Sequence, residues 1–265
     1  MLLIYMYCIS TGIEVNELMM ECQSISGERH VGIMPFRDIQ AVVSMVEEDD
    51  FSDEKLKKNL DNMEWVAEKA FAHENIIEEV MGNHPVIPLQ FCTLYKTDES
   101  LMRFLESYYD QIKSHLSLAG KSLEWGVKVF CNTGILKERI LAKPSVMDEI
   151  DSINRKPKGI AFMLTKKFHE RIENSIQNTM NADIQSIFGE VNSIMERVVV
   201  KEVLDCDDVK KKMVLNIVAL LEKTNTESLA GIINALNRKY GEDGYSIESS
   251  GPWPIYHFIS FDENT

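Results

Sequence analysis

The chain has 265 residues, with 28 Lys and Arg against 42 Asp and Glu, for a formal net charge of −14. Hydrophobic residues at 45% and charged residues at 26% match ordinary globular usage, which excludes wholesale disorder. The acidic balance argues against a nucleic-acid binder, whose target phosphates call for a Lys/Arg excess, and against an anionic membrane surface. The length suits one large or two modest domains with a core that needs no disulfide or metal.

Five cysteines, Cys8, Cys22, Cys92, Cys131 and Cys206, form an odd set with no C-x-x-C pair. They read as buried free thiols in a reducing compartment. The apolar opening, residues 1–9, lacks a basic flank and a small-residue cleavage site. It is too short to span a bilayer, and no later run approaches the roughly 20 apolar residues required. The reading is cytoplasmic.

In chain order, residues 1–9 read as a buried strand, followed by a short helix over 14–22. Strand-like runs cover 30–34 and 39–46, and the acidic cluster Glu47-Glu48-Asp49-Asp50 closes that hairpin-like region. Ser52 or Asp53 is a suitable N-cap, because a side-chain oxygen there accepts from free backbone N–H groups. From Leu56 the apolar positions Leu60, Met63, Val66, Ala67, Ala70, Ile77 and Met81 share one helical face. Gly82-Asn83 is a plausible left-handed stop before Pro85. Residues 84–94 are strand-like. Thr97-Asp98 caps a helix carrying Leu101, Phe104, Leu105, Ile112 and Leu116, and residues 121–131 form a further strand.

Residues 132–156 read as a polar connector with a short helix around Leu136, and the domain boundary is placed there. Beyond it, Phe168, Ile172, Ile176, Met180, Ile184, Ile187, Val191 and Ile194 recur at steps of three or four, the strongest periodic signal in the chain. Residues 159–164 are read as that helix's first turns. Strands over 197–204 and 213–221, separated by Asp205-Cys206-Asp207-Asp208, precede a helix with Leu229, Ile232, Ile233 and Leu236 and a strand over 245–248. The order α-β-β-α-β is a ferredoxin-like pattern lacking or disguising its first strand. The expected fold class is therefore α+β, with an α/β N-terminal domain (1–131), the connector (132–156), a modified ferredoxin-like C-terminal domain (157–250) and a tail (251–265).

Candidate chemistry is sparse. Gly120-Lys121-Ser122 has His115 where a phosphate loop needs glycine, and it follows a helix rather than a strand. His73-Glu74 and His169-Glu170 have Ile77 and Glu173 where a zinc-protease helix needs its second histidine. Asp205, Asp207 and Asp208 match no calcium loop and read as a solvated turn. No G-x-S-x-G or G-x-G-x-x-G occurs. No catalytic residue, cofactor site or metal site is assigned.

The C-terminus is different. Gly251-Pro252-Trp253-Pro254-Ile255-Tyr256-His257-Phe258 combines two prolines and three aromatics in eight residues. Proline fixes φ and removes donors, so the stretch is stiff, extended and excluded from a central strand. It suits either a latch on its own protein or an external contact.

This ending resembles that of the gas vesicle protein F/L family (GvpF/GvpL), with Ile255 in place of a family proline and with Tyr256 and Phe258 kept. His73-Glu74-Asn75-Ile76-Ile77-Glu78 is similar to a family motif. So is Pro88-Leu89-Gln90-Phe91-Cys92-Thr93, where Gln90 stands for Arg and Cys92 for Gly. Glu124-Trp125-Gly126-Val127-Lys128 resembles the family's corresponding strand, so the likeness runs along essentially the whole chain.

The resemblance implies a non-enzymatic accessory protein associated with the gas vesicle, in contact with its very hydrophobic major shell protein. It also implies an α/β N-terminal and a modified ferredoxin-like C-terminal domain. A soluble acidic partner would keep such a shell subunit dispersed and aid nucleation or assembly. The expected docking face is the N-terminal sheet, through an available edge or aromatic surface. Other gas vesicle accessory proteins are possible partners; nucleic acid and lipid membrane are not expected. The competing readings are a small-molecule sensor or enzyme built on the ferredoxin-like domain, and a purely self-associating structural subunit.

Overall fold

The computed structural model describes residues 2–14, 24–27, 31–204 and 211–261. The helix expected over 14–22 and the turn at 205–208 lie outside the described residues. The chain forms two compact units, Met1–Glu124 with Pro252–Thr265, and Trp125–Gly251.

The first unit is built on strands β1 (Leu2–Ser10), β2 (Gly32–Phe36), β3 (Ile39–Glu47), β4 (Ile87–Pro88) and β5 (Leu94–Tyr95). Their sheet runs β2-β3-β1-β4, with β5 also pairing β1. All these pairings are antiparallel. The register of β1 against β3 slips between Met6 and Cys8. That bulge breaks the two-residue alternation, so Leu3, Tyr5, Tyr7 and Cys8 share one face while Ile4, Met6 and Ile9 line the other.

Short α1 (Glu48–Phe51), α2 (Asp53–Leu60) and α3 (Met63–Asn83) follow β3. Phe51 of α1 and Ile76, Ile77 and Val80 of α3 pack on the Tyr5/Tyr7 face. Helices α4 (Asp98–Ser107) and α5 (Tyr109–Lys121) bury Leu101, Leu105, Ile112 and Leu116 on the opposite face. Both faces of this sheet are therefore covered.

The helix boundaries differ from the expected ones for local reasons. The stripe from Leu56 is interrupted because the Asn62 side chain accepts from the N–H groups of Glu64 and Trp65 and starts α3 afresh. No left-handed stop forms at Gly82-Asn83. Instead α3 ends where His84 turns extended ahead of Pro85. Thr97 caps α4 in a reciprocal pair with Ser100, as its position suggests, but Tyr108 divides the expected single helix in two. The strand expected over 84–94 reduces to the two short strands β4 and β5.

The second unit holds β6 (Ser122–Cys131) from Trp125 on, α6 (Thr133–Leu141), α7 (Pro144–Asn154), α8 (Lys158–Asn192), β7 (Arg197–Val200), β8 (Lys212–Glu222), α9 (Thr226–Tyr240) and β9 (Tyr245–Trp253) as far as Gly251. Its sheet order is β7-β8-β6-β9. With α8 and α9 as the two main helices, this is the β-α-β-β-α-β ferredoxin-like arrangement. The disguised first strand is β6, expected from the sequence within the N-terminal domain. The expected connector over 132–156 instead forms α6 and α7, whose Leu136, Ile140 and Ile153 join the core with Phe168, Ile172, Ile176, Met180, Ile187 and Val191 of α8. The fold class is α+β.

Candidate functional site

The residues singled out from the sequence fall into separate places. His73 and Glu74 lie on α3, Pro88 in β4 opposite Cys8, and Phe91 and Thr93 in the turn leading to β5. Trp125 and Gly126 lie in β6. Gly251, Pro252 and Trp253 end β9, an edge strand, where proline needs no ladder partner. Pro254, Tyr256 and Phe258 belong to the tail segment of the first unit.

The first unit gathers His73, Glu74, Phe91 and Tyr256 around β1. The Tyr5 hydroxyl donates to His73 Nδ1 at 2.9 Å and accepts from the Cys92 N–H at 3.0 Å. His73 Nε2 donates to the Leu89 carbonyl at 3.2 Å. A carbonyl only accepts, so the imidazole is held as the Nε2–H tautomer with Nδ1 free to receive the tyrosine proton. Burial disfavours the imidazolium and lowers the His73 pKa to about 4. Desolvation likewise raises the Tyr5 pKa. The Tyr7 hydroxyl pairs with Ser44 at 2.7 Å and accepts from the Ile25 N–H at 2.9 Å. The rings of Tyr5, Tyr7 and Phe91 surround His73 at centroid distances of 5.7, 5.8 and 5.8 Å.

The tail adds a second polar pair. The Tyr256 hydroxyl donates to Glu74 Oε1 at 2.7 Å. Burial raises the Glu74 pKa, and the hydrogen bond from Tyr256 partly offsets that rise. One residue on, the buried Glu124 carboxylate receives the His257 N–H at 2.8 Å and His257 Nδ1 at 2.7 Å. Farther along, His115 Nε2 donates to the Ser260 carbonyl, and Phe261 stacks edge-on against Phe104 and Tyr108. Within its unit the tail is thus bound by named side chains, while Trp253 remains 41% exposed.

Two backbone features explain individual residues. Cys92 adopts φ +66°, the left-handed region that glycine occupies without strain. Its thiol is pushed up to about 11 by burial, and Cys8 and Cys131 are raised for the same reason. These three cysteines are free. Gly244 combines φ +94° with a site where a Cβ would meet the Asn132 carbonyl at 2.9 Å, fixing the start of β9 against the cap of α6.

Sequence reasoning did not single out Tyr5 or Tyr7, and it quoted Glu124 and His257 only as members of longer motifs, because the partners of all four lie far along the chain. It also gave no separate role to the outward side of α3. Opposite the buried His73, Ile76, Ile77 and Val80, that side carries Glu64, Glu68, Phe71, Asn75 and Glu78 in one stripe, with Met63 at its edge. Met63 is 76% and Phe71 69% exposed. The mismatch of a phenylalanine within an acidic helix face was the available signal.

The β2 side of the sheet offers little of the expected docking surface. The tyrosines of β1 point inward. The edge strand β2 closes a two-residue turn with Phe36 opposite Ile39. By alternation Pro35 then faces the open edge, where it removes the donor an added strand would need. No group of three or more potential metal ligands occurs among the described residues, and no helix there is long and apolar enough to cross a membrane.

Residues 3–260 match the family model described as gas vesicle synthesis protein GvpL/GvpF. The chain is 23% identical to gas vesicle protein L of Streptomyces sp. (strain CB03234) over 85% of its own length and 82% of that protein. It is 24% identical to gas vesicle protein L of Haloferax mediterranei over 74% of its length, spanning 62% of that longer relative. The crystal structure of the gas vesicle protein GvpF from Anabaena sp. PCC7120 shares the fold with a TM-score of 0.70 at 16% identity, covering 100% of this chain and 99% of that one. GvpF from Microcystis aeruginosa superposes with a TM-score of 0.65 at 19% identity, over 98% and 99% of the two chains.

Proposed function

We propose that this chain, which belongs to the gas vesicle synthesis protein GvpL/GvpF family, binds the vesicle's major shell subunit through its first unit and so aids nucleation or assembly of the vesicle. It would act without catalysis, in the cytoplasm and at the vesicle, alongside other accessory proteins of the same assembly. The observation that carries the placement is the outward face of α3, where Met63 and Phe71 are the most exposed large apolar side chains among the described residues of that unit.

The physical case is one of matched needs. A shell subunit with a large apolar surface aggregates unless that surface is covered before assembly. Phe71 supplies a stiff apolar anchor and Met63 an adaptable one, and the surrounding Glu64, Glu68, Glu78 and Glu79 keep the face hydrated and repel non-specific contacts. The buried Tyr5–His73 network lies on the opposite side of the same helix and holds α3 in place, so the family-motif histidine is a positioning residue in this account.

Co-expression with the shell subunit, followed by affinity capture of the soluble fraction, tests the reading. Capture by the parent chain and its loss in Phe71→Asp are the expected results. Shell subunit that stays aggregated beside a soluble parent chain would overturn direct binding, and equal capture by Phe71→Asp would overturn the placement on α3.

A further inference from the structure

A second exposed apolar face occurs in the other unit, and its charge is opposite. Between Ser152 and His169 the sequence holds Arg155, Lys156, Lys158, Lys166 and Lys167 and no Asp or Glu, in a chain whose net charge is −14. Among the described residues none of these five bases has an ion-pair partner, whereas nearby Lys137 and Arg171 pair with Glu173 and Glu149. The N-terminal half of α8 turns Ala161, Leu164, Phe168 and Ile172 toward the core. At 100° per residue, Phe162, Met163, Lys166 and Lys167 fall on the side facing away from it. Phe162 is 76% and Met163 66% exposed, although core packing makes no use of them.

We infer that this basic, apolar face of α8 docks on the acidic, apolar face of α3 in a second copy of the chain, head to tail. Each face offers what the other lacks. On α8, Phe162 and Met163 sit one turn before Lys166 and Lys167. On α3, Phe71 lies between Glu68 and Glu78, within a helix that holds five glutamates against one lysine, itself paired to Glu68. Opposite charges around apolar anchors steer encounter and fix register, while the anchors supply the buried area.

Each contact joins unlike faces of the chain. A pair related by a two-fold axis makes that contact twice and closes; otherwise association continues into chains or larger rings. A general acidic partner or an anionic lipid surface would fit α8 by charge, but the second copy is favoured because the complementary face is present in the same molecule. The inference stands apart from shell binding and is tested without shell protein. If both hold, the shell subunit and α8 of a neighbour compete for α3.

Sedimentation of the purified full chain provides the test. The average mass is expected to rise above that of the monomer with concentration at low salt, and the association to weaken at least about ten-fold in high salt, where exposed charges are screened. Phe162→Asp and Phe71→Asp change exposed positions, and unchanged circular dichroism would show that both variants fold. Each alone is expected to stay monomeric, because each lacks one half of the contact. Their equimolar mixture retains one good face of each kind and is expected to stop at a dimer. A parent chain that is monomeric throughout, variants that associate like the parent, or a mixture that stays monomeric would each overturn the inference. So would binding of anionic vesicles by a monomeric parent that is lost in Phe162→Asp, which would assign the α8 face to lipid.

Discussion

The two units solve the problem of a core differently. Among the described residues, the buried polar and charged side chains Ser10, Ser24, Ser44, His73, Ser122 and Glu124 all lie in the first unit. Tyr5, Tyr7, His73 and Glu124 there have their hydrogen-bonding atoms matched to specific partners. The second unit packs β6, β8 and α8 mainly through aliphatic contacts, with Tyr240 and Tyr245 donating to Ser186 and Asp183 of α8, and the buried polar atoms without a partner, Trp125 Nε1 and Ser246 Oγ, both belong to it. A matched buried network adds little net free energy but penalises every alternative arrangement that leaves a member unpaired. The first unit is thus specified largely by polar pairing around a titratable histidine, whereas the second is specified mainly by volume, with two tyrosine pairs at the margin of its core.

The sharpest way to probe this contrast is a cavity in the second unit. Ile217→Ala removes a fully buried side chain from the central region of its core and is expected to cost about 4 kcal/mol, with little dependence on pH. Denaturant melts followed by hydrogen exchange within residues 125–251 check it. A loss that varied strongly between pH 7 and 4 would erase the distinction.

The pH response of the first unit is next in size. His73 has a pKa of about 4 when folded against 6.5 when free. As pH falls below 6.5 the unfolded chain takes up a proton that the native site refuses, so stability drops until about pH 4, by on the order of 3 kcal/mol. Glu74 acts in the opposite sense: its raised pKa makes the native state the better proton acceptor, which adds stability as pH falls. His73→Gln can donate to Leu89 and accept from Tyr5 without titrating. Its unfolding free energy, measured between pH 7 and 4, is expected to follow a flatter profile than that of the parent.

Smaller effects sharpen the comparison. Glu124→Ala leaves the His257 N–H and imidazole without their acceptor and is expected to cost about 2 kcal/mol, with faster proteolysis near residue 257. A tail as protease-resistant as in the parent would show that the apolar contacts alone hold it. Cys92→Gly relieves a left-handed backbone and is expected to stabilise the first unit by about 0.5–1 kcal/mol, read as a higher melting temperature. A lower melting temperature would mean that the thiol's packing outweighs the strain.

Much of the fold was legible because periodicity is local. The α8 stripe, the Thr97 cap and the strand over 39–46 follow from spacing alone. Allocation of β6 was not legible, since a strand's sequence carries no mark of the sheet it joins, and its neighbours β8 and β9 lie far along the chain. The Tyr108 break has no glycine or proline to announce it. The bulge near Tyr7 becomes visible only against β3. Of the candidate site, His73 and Glu74 stood out through a resemblance, but their partners Tyr5 and Tyr256 are 68 and 182 residues away. Such pairings are properties of the folded chain.

Oxidative footprinting of the co-purified shell complex tests the central claim most directly, because Met63 and Phe71 are both exposed and readily oxidised. At a dilution and salt where the free chain is monomeric, oxidation of Met63 and Phe71 is expected to fall at least about five-fold on shell binding, while Met147, Phe162 and Met163 in the second unit keep their free-chain rates. Unchanged oxidation at Met63 and Phe71, with protection at Phe162 and Met163 instead, would contradict that claim and move shell docking to the other unit.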